Sequence, residues 1–274
     1  MKLKQTISLI AGFILFLSCS TNPFTGKKTL ALVPNSQLFP MAFQQYDQFL
    51  SENKVVTGTK QSQMITRVGQ KIATASERWL TANGYSGYLK DYAWEYKLVD
   101  DPTVNAWCMP GGKIVFYTGI LPIAQNEAGV AAIMGHEVAH ALANHGQQRM
   151  SAGQLQALGA VAGNVALSKD PKNQEIFNQA YGIGSTVGVM LPFSRGHESE
   201  ADRIGLTLMA IAGYDPIVAA DLWRRMKENS GGQAPPEFLS THPSSDTRIR
   251  NITEWSPQAK VEARKFGVTN FRKQ

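Results

Sequence analysis

Cysteine is scarce in this chain. Of 274 residues only Cys19 and Cys108 carry a thiol, which excludes a disulfide-built framework. Charge is thin as well, at 18% of residues, and the net excess of +6 is scattered apart from Lys260, Arg264, Lys265, Arg272 and Lys273 near the C-terminus. Without a basic stripe nucleic acid is not implied as a partner, and a surface held near anionic lipid fits the balance equally well. There is no internal repeat and no low-complexity block. The apolar run from Ile7 to Leu17 is too short for a comfortable transmembrane helix. A second Ala- and Gly-rich stretch, Ser151 to Leu167, is interrupted by Gln154, Gln156 and Asn164, which argues against a span there. What is present, 43% apolar residues, is the composition of a folded globular protein with ample core.

The start of the chain reads as a targeting signal. Lys2 and Lys4 precede the apolar run, which ends in Phe16-Leu17-Ser18-Cys19. A small residue just before a cysteine is the mark of a bacterial lipobox, although Phe16 and Leu17 stand where that pattern has leucine and a small residue. The expectation is a signal peptide over 1–18 with Cys19 as the lipidated first residue of the mature protein. Ordinary secretion and an uncleaved anchor are the other readings. Residues 19–35, with Pro23, Gly26, Lys27 and Lys28, then form a tether. A folded domain follows over 36–256, and a basic tail over 257–274.

Periodicity within the domain predicts helices at 36–52, 59–80, 118–124, around the stretch that follows Asn126, and at 151–167 packed as a hairpin with 173–189. Further helices are expected at 197–211 and 216–228, with a last one starting near Ser244. Alternation predicts a strand over 93–99 with one buried face. Two short extended runs, 104–109 and 113–117, flank Pro110-Gly111-Gly112 as a hairpin. The fold class is α+β, predominantly helical.

The chemistry is concentrated in Gly135-His136-Glu137-Val138-Ala139-His140. On a helix, residues four apart share a face, so His136 and His140 can hold one tetrahedral metal ion. Glu137 lies beside them, where a carboxylate can take a proton from metal-bound water. A third protein ligand is needed. One known solution places a glycine six and a histidine ten residues after the first ligand, but Leu142 and Gly146 stand there. His145 is turned about half a turn away on the helix and suits a capping or supporting role. The other solution is an acidic residue from a later helix. In Ser194-Arg195-Gly196-His197-Glu198-Ser199-Glu200-Ala201-Asp202, Glu198 and Asp202 share a face, so Glu198 can bind metal while Asp202 orients a ligand imidazole. Glu200 points about 200° away from Glu198. His197 is a rival ligand.

Together these motifs resemble the membrane-linked gluzincin peptidases, which include CAAX prenyl proteases, HtpX heat-shock proteases, Oma-type proteases and periplasmic lipoproteins, the last being the nearest analogy. Asn105-Ala106 with Pro110-Gly111-Gly112 and Ile114 is similar to that family's substrate-holding edge strand. His242-Pro243 with Arg248-Ile249 is similar to its late His-Pro segment. The resemblance runs from about Gln37 to Trp255. It implies a zincin-type metallopeptidase domain with a small β-sheet over the active-site helix, and one zinc ion per chain held by His136, His140 and Glu198. Glu137 would be general base and then acid, and a zinc-bound water would be the nucleophile. Asp202 would orient a ligand. Asn105, Ala106, Trp107, Cys108 and Met109 would pair with extended substrate, and His242 or Arg248 would donate to the oxyanion. His242 could instead fill the open zinc position, or simply start a helix. The implied function is a zinc-dependent metalloendopeptidase. Its substrates would be misfolded or unassembled envelope proteins, and it would be lipid-anchored at the bacterial outer membrane facing the periplasm. The competing reading is an envelope chaperone or assembly factor with a mostly closed zinc site.

Overall fold

The computed structural model describes residues 19–185, 190–229, 237–243 and 245–274. These fall into two compact units. One combines the chain up to Leu38 with Asn144–His197, and the other combines Phe39–Ala143 with Glu198–Gln274.

In the second unit a four-stranded sheet runs in the order β3 (Val55–Val56), β4 (Glu95–Val99), β6 (Lys113–Tyr117), β5 (Ala106–Met109). β5 and β6 are antiparallel about the expected turn, where Gly111 and Gly112 take φ of +83° and +89°. β4 and β6 are parallel, and β3 pairs antiparallel with β4. β5 is therefore an edge strand. The expectation that residues 93–99 bury one face holds only in part, because Leu98 and Val99 are both buried. Helix α1 (Asn35–Glu52) covers the Val99 and Val115 face through Tyr46, Phe49 and Leu50. On the other face lies α2 (Lys60–Ala82), where the Tyr96 ring rests directly on Gly69; a Cβ there would fall 2.2 Å from the ring. α2 starts as sequence demands: Thr59 accepts from the Ser62 amide, and the Ser62 hydroxyl accepts in return from the Thr59 amide.

A 3₁₀ turn (Thr118–Ile120) and α3 (Leu121–Ala124) lead into α4 (Glu127–Leu142), on which the unit is built. Asn126 caps it, accepting from the Gly129 amide at 3.0 Å. Every residue from Ala128 to Leu142 is buried, so α4 is a central helix with no solvent face. Its ends are fastened. Glu127 in the first turn receives Arg67, Lys71 and the Tyr214 hydroxyl. At the far end the phenols of Tyr92 and Tyr88 donate to the carbonyls of Ala141 and Leu142.

In the first unit β1 (Cys19–Thr21) pairs antiparallel with β2 (Lys28–Leu30), so the stretch expected to be a tether begins as a small hairpin. It is joined to α5 (His145–Ala166), where Ser151 Oγ accepts from the Leu32 amide and Gln147 donates to the Val33 carbonyl. α5 packs on α6 (Pro171–Ser185) as the expected helical hairpin; the expected last residues of that second helix, 186–189, lie outside the described residues. The leader over 1–18 lies outside them too.

Helix α7 (Leu191–Ile211) begins six residues before its expected start. α8 (Val218–Asn229), the short α9 (Glu237–Thr241) and α10 (Asp246–Arg264) complete the second unit. The stretch 257–274 is not the free basic tail that its composition suggested. α10 occupies it as far as Arg264, Lys260 pairs with Asp215 at 2.7 Å, and Arg272 bridges back to the turn after α7 through the Asp215 amide and the Gly213 carbonyl. Asp215 and Glu127 face the cationic groups of Lys260 and Arg272, which a charge pattern alone does not reveal. Among the described residues no helix is long and apolar enough to cross a membrane.

Candidate metal centre

α4 delivers His136 and His140 one turn apart, with Nε2 atoms 3.1 Å from one another. α7 crosses α4 at close range because both helices carry glycine at the crossing. A Cβ on Gly135 would fall 2.9 Å from the Gly205 carbonyl oxygen, and one on Gly205 would fall 2.9 Å from the His136 amide nitrogen. That approach brings Glu198 to the histidines, its Oε1 3.2 Å from His140 Nε2 and its Oε2 3.4 Å from His136 Nε2. The segment after α9 adds His242, whose Nδ1 is 2.9 Å from Glu198 and 3.1 Å from His136. One donor atom from each of His136, His140, Glu198 and His242 lies within 4.8 Å of all the others, and all four residues are buried.

Lone pairs converging at such distances repel unless a cation or a proton stands between them. Three imidazole nitrogens and a carboxylate oxygen match the donor preference of zinc, whereas calcium and magnesium seek oxygen alone. The donor set therefore fits the implied metal.

Asp202 stands 3.0 Å from His136 Nδ1 and accepts its N–H, which turns the Nε2 lone pair toward the cluster. Burial opposes protonation of His136, but the Asp202 and Glu198 carboxylates outweigh it and raise its pKa to about 9. His140 is pushed well down, by burial first and then by the neighbouring imidazoles against the pull of Glu198. Glu198 is held far below the ordinary carboxylate range: burial works against ionisation, and hydrogen bonds from the three histidines overcome it.

Glu137 is buried beside this group, its Oε1 3.5 Å from His242 Nε2. Cys108 of β5 lies next to it; burial, and then Glu137, push the thiol well up. The expected substrate strand divides by face. Trp107 and Met109 pack into the α1 cluster, with Trp107 edge-on to Phe49 at 5.0 Å, while Cys108 turns toward Glu137. Asn105 precedes the strand, and its own side chain accepts the Ala106 N–H.

Arg248, with His242 one of the two expected oxyanion donors, is hydrogen-bonded within the site. Nε and Nη2 clamp Asp202 at 2.7 Å each, Nη1 reaches Glu198 at 3.1 Å, and the guanidinium lies 3.5 Å above the Trp223 ring. Its fork thus links the carboxylates of Asp202 and Glu198. His145 and His197 are absent from the metal-type group. They stack on each other with centroids 4.0 Å apart, and His197 contacts Gln148 at 3.1 Å. Trp223 escaped the sequence reading. It faces His136 edge-on at 5.9 Å, stacks with Phe238 and carries Arg248, and one tryptophan on an amphipathic helix has no signal to set it apart. Phe238 in turn donates its amide to the Val104 carbonyl, which hangs the His242 segment on the start of the edge strand.

The model of Peptidase family M48 matches residues 60–256. The mitochondrial metalloendopeptidase OMA1 of Schizosaccharomyces pombe is 41% identical over 175 residues, covering 64% of this chain and 50% of that protein. The human mitochondrial metalloendopeptidase OMA1 is 27% identical over 264 residues, covering 93% and 49%. The beta-barrel assembly-enhancing protease of Yersinia pestis is 26% identical over 169 residues, covering 60% and 35%. The chain thus spans about half the length of the mitochondrial relatives and less of the bacterial one.

Proposed function

Because the chain belongs to peptidase family M48, we propose that it is a zinc-dependent metalloendopeptidase in which His136, His140 and Glu198 hold the metal. The observation that carries this reading is the convergence of two α4 imidazoles and an α7 carboxylate beside the buried carboxylate of Glu137. A bound zinc ion would supply Lewis-acid polarisation of the scissile carbonyl and lower the pKa of a water from ~16 toward ~7.

The protein's own groups do the rest. Glu137 takes the proton of the attacking water and passes it to the departing amide nitrogen. Asp202 holds the His136 tautomer, and Arg248 holds Asp202 and Glu198. On the outer edge of β5 the antiparallel alternation turns the main chain of Ala106 and Cys108 outward, where an extended peptide can add as a further strand. Main-chain pairing of that kind binds unfolded segments with little sequence preference. His242 stands as the fourth donor, so substrate entry requires it to withdraw; from a withdrawn position it can donate to the oxyanion.

Substrates are proposed to be misfolded or unassembled envelope proteins. The leader ending in Cys19 and the named role of the Yersinia relative support that setting, with 1–18 as signal peptide and lipid on Cys19. The fourth donor favours one alternative, an assembly factor whose zinc site is mostly closed. Incubating the purified chain with unfolded casein separates the two. The peptidase reading expects cleavage that a chelator stops, zinc restores and Glu137→Gln abolishes with zinc retained. A zinc-loaded chain that never cuts unfolded protein supports the alternative.

A further inference from the structure

The α5–α6 hairpin joins its two helices through glycines that receive aromatic rings and through polar bridges, part of them at its surface. Gly159 and Gly163 of α5 admit Tyr181 and Phe177 of α6, and a Cβ on either would fall 2.1 Å from those rings or their hydroxyl. Asn164 and Asn178 exchange amide hydrogen bonds at 2.7 and 3.0 Å. Gln174 donates to the Asn164 carbonyl, and Tyr181 to that of Gln156.

The opposite side of α5 is largely apolar and open, with Gln154 the one polar residue at its start. Leu155, Leu158, Val161 and Val165 recur on one helical face and are 42%, 62%, 60% and 68% exposed. Ala157, Ala162 and Ala166 are exposed around them, and no charged residue occurs between Ser151 and Ser168. A helix covered by water on that side would carry the reverse pattern. Polar side chains bridging two helices, with branched apolar side chains facing out, is the arrangement found where the surroundings are hydrocarbon.

We propose that the Leu155–Leu158–Val161–Val165 face of α5 docks on a lipid surface, lying in the bilayer interface. It is not expected to span, since no described helix is long and apolar enough. Lipid rather than protein is favoured by where the chain enters this unit. In sequence the apolar run Ile7–Leu17 leads directly to β1, and the chain leaving β2 passes through Leu32 and Val33, which are hydrogen-bonded to α5. An anchor in the leader, or a lipid on Cys19, thus attaches within the unit that displays the apolar face. The charges near the hairpin nearly cancel, three cations (Arg149, Lys169 and Lys172) against two anions (Asp170 and Glu175), so the apolar face rather than charge carries the docking.

The test uses the full-length chain in vesicles of phosphatidylcholine and phosphatidylethanolamine that carry a diazirine on the acyl chain, with adducts mapped by mass spectrometry. Adducts are expected on the peptide containing Leu155 to Val165, as well as on the leader, and they persist at about 0.5 M salt, where screening is nearly complete. In the double variant Leu158→Glu, Val161→Glu the hairpin adducts fall at least tenfold while the leader adducts and helical content stay. Adducts confined to the leader overturn the proposal, and so do hairpin adducts indifferent to the two glutamates. Should the face lack adducts while the wild-type chain self-associates and the variant does not, a second copy is the occupant and the lipid surface is excluded.

Discussion

Arg248 shows how much of this site a single side chain joins. Its guanidinium joins Asp202, Glu198 and the Trp223 face, so its loss frees one ligand and the residue that orients another. Arg248→Lys keeps the charge but not the fork. We expect zinc affinity to fall by ~10–100-fold, the usual cost of removing a ligand's supporting partner, as read by competition with a chelating dye. An unchanged affinity with lost turnover would return Arg248 to the oxyanion. Protons compete at the same place. In the metal-free protein His136 holds its proton up to about 9, so zinc binding at neutral pH displaces it. Apparent affinity should therefore rise by about tenfold per pH unit from 7 toward 9, as titration at fixed zinc activity measures. Three residues of the cluster were legible because helical spacing puts His136 with His140 and Glu198 with Asp202, whereas His242 came only through the resemblance of its His-Pro segment. The role of Arg248 was not, because Trp223 and the two carboxylates reach it from other helices, and sequence spacing does not encode that meeting.

At the scale of elements, the site exists because α4 and α7 cross at Gly135 and Gly205. A methyl on either residue meets main-chain atoms, which cannot yield as a side-chain tip would. Gly205→Ala is expected to cost ~1–3 kcal/mol of stability and to weaken zinc binding by moving Glu198 away from the histidines. Denaturant unfolding and metal titration on the same preparation check both effects; a variant with wild-type stability and affinity would remove the crossing from the account. Most elements were legible from periodicity, as were the Asn126 cap and the turn at Gly111-Gly112, while Thr59, expected inside its helix, caps it instead. The sheet's parallel β4–β6 pairing was not, since nothing local in 93–99 or 113–117 names its neighbour.

For the molecule as a whole, Glu127 links distant parts of the second unit. α2, the turn after α7 and the C-terminal Arg272 all send cationic or hydroxyl groups to it. Burial works against its ionisation, but Arg67, Tyr214 and Lys71 outweigh it and bring its pKa to about 2. A carboxylate lowered in the folded state contributes stability above its unfolded value of 4.5 that is lost as pH falls from there toward 2. The melting temperature of the wild-type chain should therefore drop more steeply between pH 5 and pH 3 than that of Glu127→Gln, and parallel curves would contradict it. The folded C-terminus belongs to the same network, and a tally of basic residues could only describe it as a tail.

Metal content of two neighbouring variants decides whether the centre is the one described. Glu198 stands among the histidines, whereas Glu200 is two residues along α7 and outside that group. Purified side by side and assayed by elemental analysis, Glu200→Ala should retain one zinc per chain and Glu198→Ala should lose it. Zinc retained in Glu198→Ala and lost in Glu200→Ala would contradict the assignment of the third ligand, and with it the geometry from which the activity is argued.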